Sequence, residues 1–389
     1  MSEPRPAAAF YTPLKHPFQP EASGDREIAR ALLDALRGGG FEPGLASRLS
    51  TWRREFEPGV AERLDRAAAV VVQTLIRRFR GRPPTRRPRF WMTYQNYHRC
   101  PDLLGPAVAS ALEIPYVLVD TAVSTRSRRT PFRPWVSAAR LALRRADLVF
   151  AMSPRDVPRI ARLRGARFAE HRLLLLPPAA DMARFDVPGR VRAAWRTELA
   201  RRFARPDGPL FLCVAMMRED KLDSYRLLAD ALGHLLAETP GRPWRLLLVG
   251  DGPARPKVEA AFASLPPDRI CLLGALQPEA LATPYLAADI FAFPGLGDAL
   301  GLVYLEAAAA GLPVVACQGP GPEVMVPQDG GLLTAPTPEA FAAGLRDLLD
   351  DPLRRQRMAE AARRFVATER TKEAFHRRLA EGLGRLGLT

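Results

Sequence analysis

The chain of 389 residues is 47% hydrophobic, enough for two ordinary domains with a core in each, and this excludes disorder as the default state. Its net charge of +15 suits an anionic partner, but only four of the 57 basic residues are lysines (Lys15, Lys221, Lys257, Lys372), and a GC-rich coding sequence writes Arg, Ala and Pro without selection for charge. No run approaches the roughly 20 apolar residues of a membrane span, no signal core follows a basic N-terminus, and no helix-turn-helix, zinc-finger spacing or aromatic RNA-binding motif accompanies the charge.

These absences lead us to expect a cytoplasmic protein with no nucleic-acid partner. Cys100, Cys213, Cys271 and Cys317 are far apart and form no CxxC pair, so they read as reduced, buried packing residues. The densest basic cluster, 77–89 (RRFRGRPPTRRPR), closes a helical pattern. It reads either as a solvated loop or as a surface for phospholipid headgroups or an anionic acceptor.

Short β-rich runs alternate with helical periodicity along the whole chain, the pattern of parallel sheets with crossover helices, so the fold class is α/β. Strands are expected at 8–11, 45–49, 90–94, 116–120, 148–152 and 173–176, then at 211–215, 245–249, 270–273, 290–293, 314–317 and 331–334. Two doubly wound units follow, with a junction in the turn-rich stretch 186–207 after Pro177 and Pro178. Residues 352–386 read as amphipathic helix with no strand after it, a segment that docks on structure already built. Ligands of open α/β sheets sit beyond the carboxyl ends of the strands, so the loops there are where chemistry is sought, and two such domains would face each other across a cleft.

Residues 294–316 (PGLGDALGLVYLEAAAAGLPVVA) are the most informative. A strand ends at Phe293, a Gly-rich loop follows, and a helix runs from near Gly301 to Gly311. Such a loop bares backbone N–H groups at a helix N-terminus, where the dipole favours a phosphate or sugar oxygen. Asp298 ahead of the helix and Glu306 on its second turn either accept from sugar and ribose hydroxyls or serve as an N-cap and a solvated helix residue. Arg218 and Lys221, in the loop after strand 211–215, supply a planar fork and a mobile cation for a pyrophosphate, or form an exposed charged turn. Gly250, Asp251 and Gly252 make a tight turn before a helix, and Ser23, Gly24 and Asp25 a helix cap.

Residues 294–316 closely resemble the signature of glycosyltransferase family 4 and its GT-B relatives, the retaining group 1 enzymes. There a Glu, seven residues and a second Glu embrace a Gly-hydrophobic-Gly loop before an Ala-rich helix and a Gly-x-Pro-Val-Val strand. The resemblance runs through nearly all of 209–350 and implies a GT-B fold of two Rossmann-like domains: 1–185 on the acceptor side, 208–350 holding a nucleotide-sugar donor, and helices of 351–389 packing toward the N-terminal domain. It places Asp298 at the first Glu, on the transferred sugar, and Glu306 at the second, on the donor ribose. The amides of Ala299, Leu300, Gly301 and Leu302 would line the donor's sugar and phosphates, with Gly250, Asp251 and Gly252 at the family's Gly-x-Gly turn and Gly274 and Leu276 in the loop that reads the base.

Lys221 matches the family's loop lysine, whereas its usual Arg falls on Met216, with Arg218 as replacement. Gly24 stands where relatives approach the donor phosphate. The active-site His of many relatives has no counterpart in Thr121–Ser124, which leaves His98 either as an acceptor-side residue or as an incidental loop residue. Asp in place of Glu at 298 bears on which sugar is carried.

The implied reaction is sugar transfer with retention from a nucleotide-sugar (UDP- or GDP-sugar) to a glycan, lipid-linked or small-molecule acceptor. It needs no metal or other cofactor, and a peripheral contact at the inner membrane face is consistent with the basic loops. A sugar-nucleotide epimerase or phosphorylase on the same scaffold, and a non-catalytic binding or assembly protein, stay open as alternatives.

Overall fold

The computed structural model of the protein describes residues 5–19, 23–55, 57, 59–122, 132–203, 207–277 and 279–388. Two compact units emerge, Met1–Pro178 with Lys372–Thr389, and Ala179–Thr371.

In the first unit β1 (Ala7–Tyr11), β2 (Glu42–Leu45), β3 (Pro88–Tyr97), β4 (Tyr116–Ala122), β5 (Leu148–Ala151) and β6 (Leu173–Leu175) form one parallel sheet in the order β2-β1-β3-β4-β5-β6. Helices α1 (Gly24–Gly38), α2 (Val60–Arg80), α3 (Gly105–Leu112), α4 (Arg133–Arg145), α5 (Val157–Arg164) and α6 (Ala166–Arg172) connect the strands. Helical spacing of apolar residues decides which face each helix buries. Along α1 it is Ile28, Leu32, Leu33 and Leu36 that are buried, with Asp25 and Glu27 at the positive end of the helix dipole. Along α2 the buried stripe is Leu64, Ala68, Val72, Leu75 and Phe79.

The second unit repeats the scheme with β7 (Leu210–Val214), β8 (Arg245–Val249), β9 (Ile270–Gly274), β10 (Ile290–Ala292), β11 (Val314–Cys317) and β12 (Gly331–Thr334), in the order β12-β11-β10-β7-β8-β9. Its helices are α7 (Gly189–Arg201), α8 (Leu222–Glu238), α9 (Arg255–Phe262), α10 (Ala282–Ala287), α11 (Leu302–Ala310), α12 (Pro322–Met325), α13 (Pro338–Asp350) and α14 (Pro352–Glu369), and the last helix of the chain, α15 (Lys372–Gly384), belongs to the first unit. One apolar core takes in both sheet faces, centred on strand residues such as Phe211, Leu247, Phe291 and Val315.

Three expectations shift. The second strand lies at Glu42–Leu45 rather than 45–49, because Pro43 and Gly44 are tolerated in an edge strand. The stretch 186–207 is no bare junction: it holds α7, and Arg196 donates to the Ala287 carbonyl (3.0 Å) and the Asp289 carboxylate (2.6 Å), which ties that helix to the second unit. The helices after 351 part company. Ala362 of α14 is fully buried in the second unit's core, while Gly382 of α15 lies so close to the Phe150 ring that a side chain would not fit. Among the cysteines Cys100, Cys213 and Cys317 are buried and Cys271 is half-buried; all four are free thiols. No described helix is long and apolar enough to cross a membrane.

The loop after β3 is pinned by a buried polar knot. The Asn96 amide donates to Thr121 Oγ1 (3.0 Å) and the Ala139 carbonyl (3.0 Å) and accepts from the Asp102 amide (3.0 Å). Asp102 in turn accepts from Thr93 Oγ1 (2.5 Å), Tyr116 Oη (2.7 Å) and the amides of Leu104 (2.9 Å) and Gly105 (2.8 Å), which opens α3. Asn96→Ala removes three bonds at a fully buried position. We expect it to cost about 3 kcal/mol, read as a lower urea midpoint with an unchanged slope.

Candidate active site

Counted from its first strand, the sheet of the second unit runs 6-5-4-1-2-3, so the winding direction reverses between β7 and β10. The crevice at such a reversal is where open α/β sheets bind ligands. Lys221 comes from the loop after β7 and Asp298 from the loop after β10, and their charged groups meet there, the side chains only 18% and 6% exposed. Further bonds surround the pair, one between the β7 and β10 sides, one from the loop after β11 and one within the β7 side. The Leu296 amide donates to Ser224 Oγ (2.9 Å), the Gly321 amide to the Asp298 carbonyl (2.8 Å), and Tyr225 Oη to the Ala215 carbonyl (2.7 Å).

Asp298 is not the N-cap of α11. That place belongs to Gly301, with φ +74°, and no side chain caps the helix. A Cβ at Gly301 would come within 2.6 Å of the Tyr304 ring, so both the backbone and the packing call for glycine. The amides of Ala299, Leu300, Gly301 and Leu302 find no acceptor among the described residues, so four N–H groups stand open beside the ion pair.

The turn after β8 is shaped by close approach of backbone to backbone. Gly250 (φ +147°) and Gly252 (φ +152°) lie against the carbonyls of Ala215 and Met217, where any side chain would collide. The Met217 amide donates to the Asp251 carbonyl (2.9 Å), so the β7 and β8 loops form one surface. Asp251 turns its carboxylate to the Gly252 amide (2.7 Å) and to Arg255 (3.1 Å), and Gly274 closes the turn by accepting from the Gly250 amide (2.9 Å). Leu276 is half-buried against the core.

Glu306 sits one turn into α11, half-buried, and accepts from Tyr285 Oη (2.9 Å) with the Arg184 guanidinium 3.7 Å from its other oxygen. Burial, followed by the nearby Glu306 charge, raises the Tyr285 pKa well above the usual phenol value, so Tyr285 stays a donor. Arg218 is committed to a bidentate bond with Asp220 (2.9 and 2.5 Å), which, after the opposing effect of burial, holds that carboxyl below its ordinary range.

Lys221 and Asp298 thus meet in the second unit beside the amides of 299–302, while Gly250–Gly252 pack on the loop after β7, Gly274 closes the β8 turn and Glu306 bonds Tyr285 on α10. Gly24 and His98 lie in the first unit. Gly24 begins α1. His98 stands in a turn closed by Cys100 and Tyr97 (2.8 Å), its ring edge-on to Tyr97 and Phe132, and burial lowers its pKa, which leaves a neutral imidazole against aromatic rings. The expected His-free loop after β4 passes into residues 123–131, outside the described residues.

Sequence reasoning missed Tyr285 and Arg184, whose positions carry no motif, and a pair in the first unit. Gln95 (φ +73°) and Asp120 (φ +58°) are left-handed residues inside strands. They lie side by side, since Tyr94 pairs with Val119 and Asn96 with Thr121 across the β3–β4 ladder. Burial, then the charges of Asp156 and Asp25, pushes the Asp120 carboxyl up to about 7 against the pull of a hydrogen bond from Gln95.

Two Rossmann-like units of six parallel strands each define the GT-B class. A sucrose-phosphate synthase from Thermosynechococcus elongatus has this fold, with a TM-score of 0.72 at 21% identity over 98% of this chain and 99% of that one. Anabaena HepE, solved in complex with UDP-glucose, superposes with a TM-score of 0.70 at 19% identity over 97% and 99%. Residues 208–351 match the family described as glycosyl transferases group 1.

Among its relatives, a D-inositol 3-phosphate glycosyltransferase of Kineococcus radiotolerans is 35% identical over 257 residues, covering 60% of this chain and 57% of the relative. The alpha-D-kanosaminyltransferase of Streptomyces kanamyceticus is 31% identical over 266 residues, covering 66% and 65%. The chain thus spans a little over half the length of the first of these relatives.

An acid whose pKa is raised in the folded state contributes stability that is complete below the unfolded value and is lost as pH climbs through the folded one. For Asp120 that window runs from the ordinary carboxylate range to about 7. Asp120→Asn cannot ionise and suits a left-handed backbone. Its melting temperature should match wild type near pH 4 and exceed it at pH 8 by roughly 3 °C or more, measured by calorimetry across that range.

Proposed function

We propose that the protein is a glycosyltransferase that moves a sugar from a nucleotide-sugar donor, held by the second unit, to a hydroxyl of an acceptor. The observation that carries this reading is the convergence of Lys221, Asp298 and four open amides at the reversal point of a sheet that matches the group 1 family. A donor diphosphate needs positive charge and N–H groups as it leaves, and preorganised donors of that kind stabilise the transition state without reorganisation.

In this reading the diphosphate takes the Lys221 ammonium and the amides of 299–302, and Asp298, released from the lysine, accepts from hydroxyls of the transferred sugar. Glu306, oriented by Tyr285 and Arg184, accepts from the ribose. The bond from the anomeric carbon to the diphosphate oxygen breaks, the acceptor oxygen bonds that carbon, and the acceptor's proton passes to the departing phosphate or to solvent. Retention of configuration follows from the resemblance to family 4. Lys221 and the amides supply charge neutralisation without a metal. Arg218 is placed two residues from the family's arginine and joins the diphosphate only if it leaves Asp220. Anabaena HepE binds UDP-glucose in its crystal, which makes UDP-sugars the first donors to try. The relatives' names favour a polyol or its phosphate as acceptor class.

UDP or GDP should raise the melting temperature of the full chain, because a ligand of the native state alone stabilises it. With the donor so identified, Lys221→Ala should lower kcat by at least about 100-fold, assayed well below the melting temperature of the variant. Glu306→Ala should raise the donor KM by about 10- to 100-fold, as expected for a lost charge-assisted hydrogen bond. A nucleotide that stabilises the protein without any transfer or donor hydrolysis would instead indicate a binding protein, and unchanged turnover in Lys221→Ala would remove Lys221 from the mechanism.

A further inference from the structure

A cavity of about 500 Å³ opens in the first unit at the amino ends of β4, β5 and β6, away from the carboxyl ends where open α/β sheets take their ligands. That volume is in the range of small-molecule sites. Pro115, Asp147 and Arg172 line it from the positions just ahead of these three strands, which lie side by side in the sheet. Glu113, at the end of α3, and Arg164, at the end of α5, bring the charged groups to two carboxylates and two guanidinia, and the rest of the lining is apolar, including Ile114, Phe168 and Leu386.

The charged groups are held in place yet have capacity unused. The Arg164 guanidinium lies over the Phe168 ring, 4.0 Å from its centroid, and donates to the carbonyls of Arg144 and Ala146, the latter at 2.8 Å. Its Nε is buried with no partner among the described residues, where a buried donor is ordinarily satisfied. Arg172 donates to the Arg385 carbonyl (2.7 Å) and Arg385 to the His171 carbonyl (3.3 Å), which fastens the segment carrying Leu386 to α6. One oxygen of Asp147 accepts from the Tyr116 amide (2.8 Å). The Glu113 carboxylate has no partner among the described residues, and its backbone caps α3 at φ +54°, a left-handed place that usually falls to glycine. A charged side chain is thus kept where the backbone favours none.

We propose that this cavity binds a small zwitterion, a free amino acid with an apolar side chain. Its carboxylate meets Arg164 and Arg172, its ammonium meets Glu113 and Asp147, and its side chain lies against Ile114, Phe168 and Leu386. A simple anion would face two carboxylates and a simple cation two guanidinia, whereas a molecule with both charges answers all four groups. The apolar half of the lining gives a sugar's hydroxyls no partners. Every residue of the site belongs to the first unit, so the inference is independent of the transfer reading above.

The test is saturation-transfer NMR and thermal melting of the full chain at neutral pH, with L-leucine and L-phenylalanine as probes and the deaminated acid and decarboxylated amine of each as controls. At least one of the two amino acids should bind and raise the melting temperature. Its affinity should fall about 10-fold or more in Glu113→Gly and in Arg172→Gln, and by a similar factor for either of its controls, as expected when a charge-assisted hydrogen bond is lost. Without ligand Glu113→Gly should melt no lower than wild type, because glycine suits the left-handed backbone, so weakened binding there is not loss of fold. No binding of either amino acid to the wild type, or equal affinity in wild type and both variants, overturns the site. A control that binds as well as its parent amino acid overturns the requirement for both charges.

Discussion

The candidate site depends on one contact, the Lys221 ammonium against the Asp298 carboxylate at the point where the second sheet reverses direction. Two charges taken so far from water are tolerated only as a pair, because either one left alone carries the full cost of desolvation. The pair therefore fixes the relation between the loops after β7 and β10, and the Ser224 and Gly321 bonds fall into place around it. It also sets the order in which charge is exchanged. In the proposed reading, an anionic ligand that takes the lysine frees the carboxylate for neutral hydroxyls, so one arrival prepares both halves of the site.

Around that contact the surface is made of main chain more than of side chains. Gly250 and Gly252 bring the β8 turn onto the carbonyls of the β7 loop, and Gly321 lies where a Cβ would come within 2.8 Å of the carbonyl oxygens of Asp298 and Leu300. Peptide groups cannot change rotamer, so the open amides of 299–302 are held where the loops put them. The abundant arginines take little part. Arg218 is tied to Asp220, and Arg184 stands beside Glu306. The cation buried at the reversal point is one lysine of four.

The strand positions, the second unit and the Gly-rich loop after β10 were legible because their signals are local. Three strands, at 245–249, 314–317 and 331–334, match residue for residue, each a short apolar run bounded by turn residues. Asp298 and Glu306, along one loop and helix, and Lys221, in the separate loop after β7, stood out in the sequence through the resemblance to family 4. What escaped depends on distance or on backbone state. Pro43 and Gly44 argue against a strand by composition, and only the edge position in the sheet permits one. Tyr285 lies 21 residues from the Glu306 it orients. The left-handed backbone at Gln95 and Asp120 occurs at adjacent places on two paired strands, and nothing in the identity of a glutamine announces it. The separation of α14 from α15 was hidden because both are amphipathic helices, and periodicity reports that a face is covered without naming what covers it.

The assignment of α15 to the first unit has a consequence for how the protein is made. Residues 372–384 are synthesised after every element of the second unit, yet Gly382 fills a place against Phe150 that no bulkier residue could take. A ribosome that has released the whole of the first 178 residues has therefore not released a complete domain, and the nascent chain carries an uncovered apolar surface at β5 while the second unit folds. Domains made in order normally fold in order; here the one begun first is finished last, and the interval in between is when a chaperone would have something to hold.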